Sequence, residues 1–310
     1  MIKTFIDEVT QQKLAVKSII ITQNDRLQSH FFQKDALTSI RSISKVFSCL
    51  GVYKAINHGM FDLQTKVVQF FPEVVIDNIS NLNAINNLTI EHLLTLRMGH
   101  EQGLLFNKDV SKLPADTDLL SYVFNYDMPY QPGEHFIYNN AATYVLAAIV
   151  QKLSHKNFSE WVNETIFKPL NIYEYYWENS KQGICMGASG LWLKNSDLHK
   201  VAQLLLNEGQ YNGKEIVEAQ WINKMLTPHV YVAELPEYKS KQSRSINKVA
   251  YGYHIWLCGD GTVRHPKKHY FCDGTDGQFL IVSPNKDMAI TILSNQKDMS
   301  PLYPIIGGLI

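Results

Sequence analysis

Apolar positions change their spacing along the chain in a way that separates its two ends from its middle. Ile2, Phe5, Ile6 and Val9 recur at helical intervals, which predicts an amphipathic helix at the start. Val16 to Thr22 and Leu27 to Phe32 then read as two strands, with Asn24-Asp25 as the turn between them. From Ile43 to Ile56 the apolar residues Ile43, Val46, Phe47, Cys49, Leu50, Val52, Ala55 and Ile56 fall nearly all round a helix. That pattern predicts a buried helix, which Gly59 ends. The stretch from about 64 to 206 is mostly helical, with helices near Ile90 to Leu96, Ala141 to Leu153, Glu160 to Phe167 and Asp197 to Asn207. A shorter helix follows around Glu218 to Leu226, and Tyr231 to Lys248 reads as a polar loop. Strand signals return at Tyr251 to Cys258, His269 to Cys272, Gln278 to Val282 and Met288 to Leu293, with a turn at Pro284-Asn285-Lys286.

Strands at both ends bury their faces by sharing one sheet. The pattern therefore predicts that 1–63 and 207–310 form a sheet-containing α/β subdomain and that 64–206 form a mostly helical subdomain inserted into it. An active site is expected in the cleft between the two.

Candidate chemistry sharpens this picture at the mouth of the apolar helix. Ser42 and Lys45 stand three apart, a spacing that puts a hydroxyl and an amine on one helix face. A partly desolvated lysine gives up its proton more easily and can then serve a serine as base. The spacing recurs at Ser245/Lys248, Ser283/Lys286 and Ser294/Lys297, but only Ser42 precedes a helix predicted to be buried. Taken alone, the pair also fits a helix N-cap and a surface lysine. Tyr138-Asn139-Asn140 precedes the helical run from Ala141; a phenol near an ammonium can relay a proton, and an Asn amide can donate to a carbonyl. The same segment fits a cap and a packed ring. His269 to Val282 reads as two strands joined through Gly274 and Gly277, where backbone N–H groups can approach an oxyanion, or as an ordinary hairpin. Gly99-His100-Glu101 resembles the start of a zinc-protease motif without its second His.

In chain order, Ser42-x-x-Lys45, Tyr138-x-Asn140 and the late turn with Gly274 and Gly277 resemble the three motifs of the penicillin-recognising serine hydrolases. This is the group of class C β-lactamases, D-alanyl-D-alanine carboxypeptidases and esterases. Landmarks such as Gly59-Met60-Phe61-Asp62-Leu63, Pro132-Gly133-Glu134 and Lys168-Pro169-Leu170-Asn171 extend the resemblance over nearly the whole chain. It implies the α/β (α+β) fold of the β-lactamases and transpeptidases, an antiparallel sheet from both chain ends flanked by helices. It also implies Ser42 as the acylated nucleophile, Lys45 and Tyr138 as the proton-transfer pair, and Asn140 as a positioner of substrate and lysine. The oxyanion falls between the N–H groups of Ser42 and Thr275, with Cys272, Asp273, Gly274 and Thr275 on the substrate side. No metal or organic cofactor is implied.

One position departs from the pattern. Where relatives carry Lys or His two residues before the glycine, this chain has Cys272, followed by Asp273. A neutral thiol cannot attract a substrate carboxylate, and the neighbouring carboxylate is expected to repel one. The reading is therefore a serine acyl hydrolase acting on a small ester or amide. The alternatives are a β-lactamase or D-Ala carboxypeptidase acting on a peptide-like substrate, and a binding protein that has kept the fold and lost turnover.

Composition removes other classes. The 310 residues carry 29 acidic and 29 basic side chains, so no net charge points to a nucleic-acid partner or an anionic membrane surface. The start lacks the long apolar core of a signal peptide, which reads as cytoplasmic, or as secreted if a signal has been removed. Four cysteines show no metal-ligand spacing; Cys258 and Cys272 flank a hairpin, and whether they pair is left open. Oligomeric state is not legible.

Overall fold

A computed structural model describes residues 1–239, 246–259 and 269–310. Of the loop expected over Tyr231 to Lys248, residues 240–245 lie outside the described residues, and Pro236–Lys239 forms a short helix. The chain divides into two compact units. The first comprises Met1–Val46, Phe167–Tyr176 and Leu191–Ile310; the second comprises Phe47–Ile166 and Trp177–Gly190.

The first unit is built on an eight-stranded antiparallel sheet. Its order is Arg26–Phe31, Val16–Gln23, Met288–Ser294, Gln278–Ser283, Tyr270–Gly274, Trp256–Leu257, Ala250–Tyr251 and Val230–Tyr231. The two chain ends meet where Ile20 faces Thr291, as the shared-sheet expectation requires. Asn24 and Asp25 both have positive φ, 48° and 58°, which gives their hairpin the twist its strands need. Every residue of Gln278–Ser283 and Met288–Ser294 is buried, so both faces of these strands are covered.

The helix Asn195–Leu206 packs on three of these strands. Its His199 bridges neighbouring strands through Thr22 Oγ1 at 2.8 Å and Thr291 Oγ1 at 3.0 Å. Burial pushes that imidazole down to about 4, so it stays neutral and satisfies both hydroxyls. On the N-terminal side, Ile2–Gln11 buries Phe5 and Val9 and packs against Arg26–Phe31 and the C-terminal helix Leu302–Gly307.

One expected strand is two. Tyr251 to Cys258 divides into Ala250–Tyr251 and Trp256–Leu257, with Gly252 N–H donating to Ile255 O at 2.9 Å and His254 at a φ of 58°. A Cβ on Gly252 would stand 2.1 Å from Met225 O, so a tertiary contact makes this turn. The resulting register places Cys258 N–H on His269 O at 2.9 Å, while Trp256 faces Phe271. Cys258 and Cys272 therefore lie on different rungs and do not face each other.

The second unit is helical. Ala141–Ser154 is buried from Ala141 through Val150, and His155 ends it with a φ of 55°. The expected helix near Ile90 to Leu96 stops at Leu94, because Leu96 turns left-handed at a φ of 57°. Thr89 caps this helix and Asn157 caps Phe158–Val162, each in a reciprocal capping box. The run expected from Glu160 to Phe167 is α-helical only to Val162 and continues as a π-helix. The buried helix Ser44–Asn57 begins in the first unit and continues into the second, where Trp161 Nε1 donates to Gly51 O at 2.9 Å. Gly51 is required there, since a Cβ would meet Val162 Cγ2 at 2.8 Å.

Candidate active site

Ser42 sits in a 3-10 turn, Arg41–Ile43, which leads directly into the helix Ser44–Asn57. Two neighbouring backbone segments hold the turn. Thr38–Ser39 pairs with Leu191–Leu193, and Ile40 N–H donates to Leu191 O at 2.9 Å. Arg41 takes a left-handed φ of 55°, which is uncommon for a residue with a side chain. Its guanidinium donates to Asp276 Oδ2 at 2.7 Å, and Ser44 Oγ donates to Arg41 O at 2.6 Å, so bonds at both sides fix the strained residue. Lys297 reaches Asp276 as well, at 3.0 Å, and the two cations hold that carboxyl below its usual range against the effect of burial.

The strand Tyr270–Gly274 passes hard against this turn. A Cβ on Gly274 would stand 2.7 Å from Arg41 Cβ and 2.8 Å from Ile40 O. Glycine is thus what lets the strand run so close to the Arg41–Ile43 turn. The structure therefore brings Ser42, Lys45, Cys272, Asp273, Gly274 and Thr275 into the first unit.

Lys45 is not a surface lysine: it is 1% exposed. Burial lowers its pKa from 10.5 to about 7, while Cys272 and Asp273 act to raise it. Cys272 is buried too, and its Sγ lies 3.6 Å from His254 O. Burial and then Asp273 push the Cys272 thiol up, so it remains protonated. His254 is held neutral, its pKa down to about 3 by burial and then by Lys45.

Two of the competing pairs, Ser283/Lys286 and Ser294/Lys297, lack this combination. Ser283 is buried and its Oγ is bonded to His269 Nδ1 at 2.9 Å, while Lys286 is exposed. Ser294 is buried against Ala15 O, and the Lys297 side chain is 83% exposed. Ser245 lies outside the described residues.

Tyr138 and Asn140 lie in the second unit, at the start of Ala141–Ser154. The Tyr138 ring stacks on Phe106, with centroids 6.5 Å apart. Asn140 is anchored to the 104–105 segment, its backbone N–H on Leu104 O at 3.0 Å and its Nδ2 on Leu105 O at 2.9 Å. One of its amide protons is thus committed to the protein itself. His100 is a core residue, with Nε2 on Val123 O at 3.0 Å and a pKa lowered to about 4 by burial. Among the described residues no group of three or more His, Cys, Asp or Glu is placed to hold a metal ion.

One expectation needs correcting. Asp273 does not stand as a lone carboxylate beside Cys272, because Lys248 Nζ lies 3.1 Å from its Oδ1. Lys248 entered the sequence reading only as the lysine of a competing Ser-x-x-Lys pair, and His254 and the Arg41–Asp276 pair were not singled out from the sequence. The one available signal was a histidine within the apolar run Tyr251 to Cys258; the ion pairs join residues that no local spacing connects.

The beta-lactamase family model matches residues 5–304. A penicillin-binding protein of Bacillus subtilis (strain 168) is 26% identical over 145 residues, covering 45% of this chain and 30% of that protein. The chain thus spans well under two thirds of that curated relative's length. Among solved structures, the octameric penicillin-binding protein homologue from Pyrococcus abyssi matches with a TM-score of 0.76 at 20% identity, over 99% of this chain and 75% of that one. EstCE1, a hydrolase with promiscuous acyltransferase activity, matches with a TM-score of 0.76 at 15% identity, over 98% and 97%. At these identities the structural matches establish the fold. No helix among the described residues is long and apolar enough to cross a membrane.

Proposed function

The chain belongs to the beta-lactamase family, whose members are serine hydrolases, and on that premise we propose that it hydrolyses a small ester or amide through an acyl-enzyme on Ser42. The observation that carries this reading is Lys45, buried three residues after the half-buried Ser42 and able to shed its proton at about pH 7. Neutral Lys45 accepts the Ser42 Oγ proton as Oγ bonds to the substrate carbonyl carbon. The N–H groups of Ser42 and Thr275 stabilise the oxyanion that forms. Tyr138 relays the proton to the leaving group, and Asn140 orients the substrate. Water then attacks the acyl-serine, releasing the acid and restoring the hydroxyl.

A fluorophosphonate probe, read by intact mass and then by digest mapping, tests the assignment. One adduct on Ser42 is expected. Modification at Ser283, Ser294 or Cys272 with Ser42 untouched would overturn it, as would no reaction at all.

A further inference from the structure

Lys248 and Asp273 form a sheltered ion pair, their side chains 19% and 14% exposed. The Lys248 ammonium also lies over the Trp256 ring, 4.2 Å from its centroid, and 5.9 Å from that of Phe271. Trp256 and Phe271 face each other across neighbouring strands, so sheet register itself builds the seat on which the cation rests. Trp256 is held in turn by an edge contact with Tyr251, at 4.6 Å between centroids.

We infer that Lys248 sets the charge selectivity of the proposed site: paired with Asp273 and seated on Trp256, it makes the Cys272-Asp273 step electrically neutral, and the site favours uncharged acyl donors. This deepens the serine hydrolase reading and rests on it. Cys272 contributes a neutral thiol, Asp273 one negative charge and Lys248 one positive charge, which cancel. A substrate carboxylate then meets neither the net attraction that a lone Lys or His would exert nor the net repulsion of a lone Asp. Among the described residues of this unit, Cys272 and Asp273 from the strand act on Lys45, as does His254 from the Gly252–Ile255 turn. Lys248 is bonded to the same Asp273 carboxylate, so the pair also governs how strongly Asp273 favours the Lys45 proton.

The members of the pair have opposite sign, so their removal must act in opposite directions, which a merely structural role would not do. Lys248→Gln removes the positive charge of the pair, Asp273→Asn removes the negative one, and the double variant removes both. Lys248→Arg keeps the charge and controls for folding. The test compares kcat/KM for matched aryl esters with neutral, anionic and cationic acyl groups, at low and high salt. Lys248→Gln should shift selectivity towards the cationic ester about tenfold, and Asp273→Asn should shift it towards the anionic one by a similar factor. The double variant should return close to wild type, and salt should shrink both shifts. Equal ratios in all variants, or both single variants moving the same way, would overturn the inference.

A second readout does not need turnover. The Lys45 side-chain titration, followed by NMR with 15N-labelled lysine and assigned by Lys45→Ala, should move up in Lys248→Gln and down in Asp273→Asn. If the wild type takes no acyl group on Ser42, the hydrolase reading falls and this titration alone decides. Opposite shifts then uphold the neutral pair, and unchanged or parallel shifts refute it.

Discussion

Lys45 is a residue whose folding cost and proposed chemistry share one origin. An ammonium removed from water is destabilising unless it is compensated, and the easiest relief is to lose the proton. Below about pH 7 both the folded and the unfolded chain hold that proton, and the penalty of the buried ammonium is present in full. Between about 7 and 10.5 the folded chain has released it while the unfolded chain retains it, so stability climbs with pH. Lys45→Met should therefore raise the melting temperature most below pH 7, by a stability difference on the order of a few kcal/mol, and the gap should close towards pH 10. Calorimetry of both proteins at pH 6, 8 and 10 measures it; a gap independent of pH would mean that Lys45 does not titrate in this range. The same substitution removes the proposed base and should slow acylation by roughly a hundredfold or more. In the wild type, acylation should rise with pH through about 7.

The strand Tyr270–Gly274 and the turn Arg41–Ile43 act as one assembly because Gly274 lets their backbones touch. Gly274→Ala forces them apart at the point where Thr275 is proposed to face the oxyanion. It should cost about 1–3 kcal/mol of stability and lower the acylation rate. Gly213→Ala is the control. Gly213 lies in the Gln210–Glu215 hairpin at a φ of 73° with open space around it, so only local strain of about 1 kcal/mol is expected, with acylation unchanged. Thermal melts and probe-labelling rates would separate the two, and equal acylation losses would remove the special role of Gly274. Elements whose signals are local were legible in the sequence. The Asn24-Asp25 turn, the buried helix after Ser42 and the helix from Ala141 all follow from spacing and turn chemistry. The break within Tyr251 to Cys258 was not legible, because it depends on Met225, far away in the chain, approaching Gly252.

Across the whole molecule the candidate residues are divided, with Ser42, Lys45 and the Cys272–Thr275 segment in one unit and Tyr138 and Asn140 in the other. The candidate residues were legible because each motif is short. What surrounds them was not: Lys248 and Asp273 are 25 residues apart, and Arg41 and Asp276 are 235 apart. Such pairs exist only once strands have found their register. Whether Lys45 and Tyr138 serve one proton relay is a question of coupling, which substitution can answer. Lys45→Ala and Tyr138→Phe should each slow acylation by about a hundredfold or more, because each removes a link in the same transfer. Phe keeps the ring that stacks on Phe106, so the fold of its segment should persist. If the two residues form one relay, the second substitution finds little left to remove, and the double variant should be only slightly slower than either single one. Labelling rates for all four proteins at fixed pH give the comparison. Losses that multiply would show two independent contributions, and Tyr138 would then have to act on a step other than the one Lys45 serves.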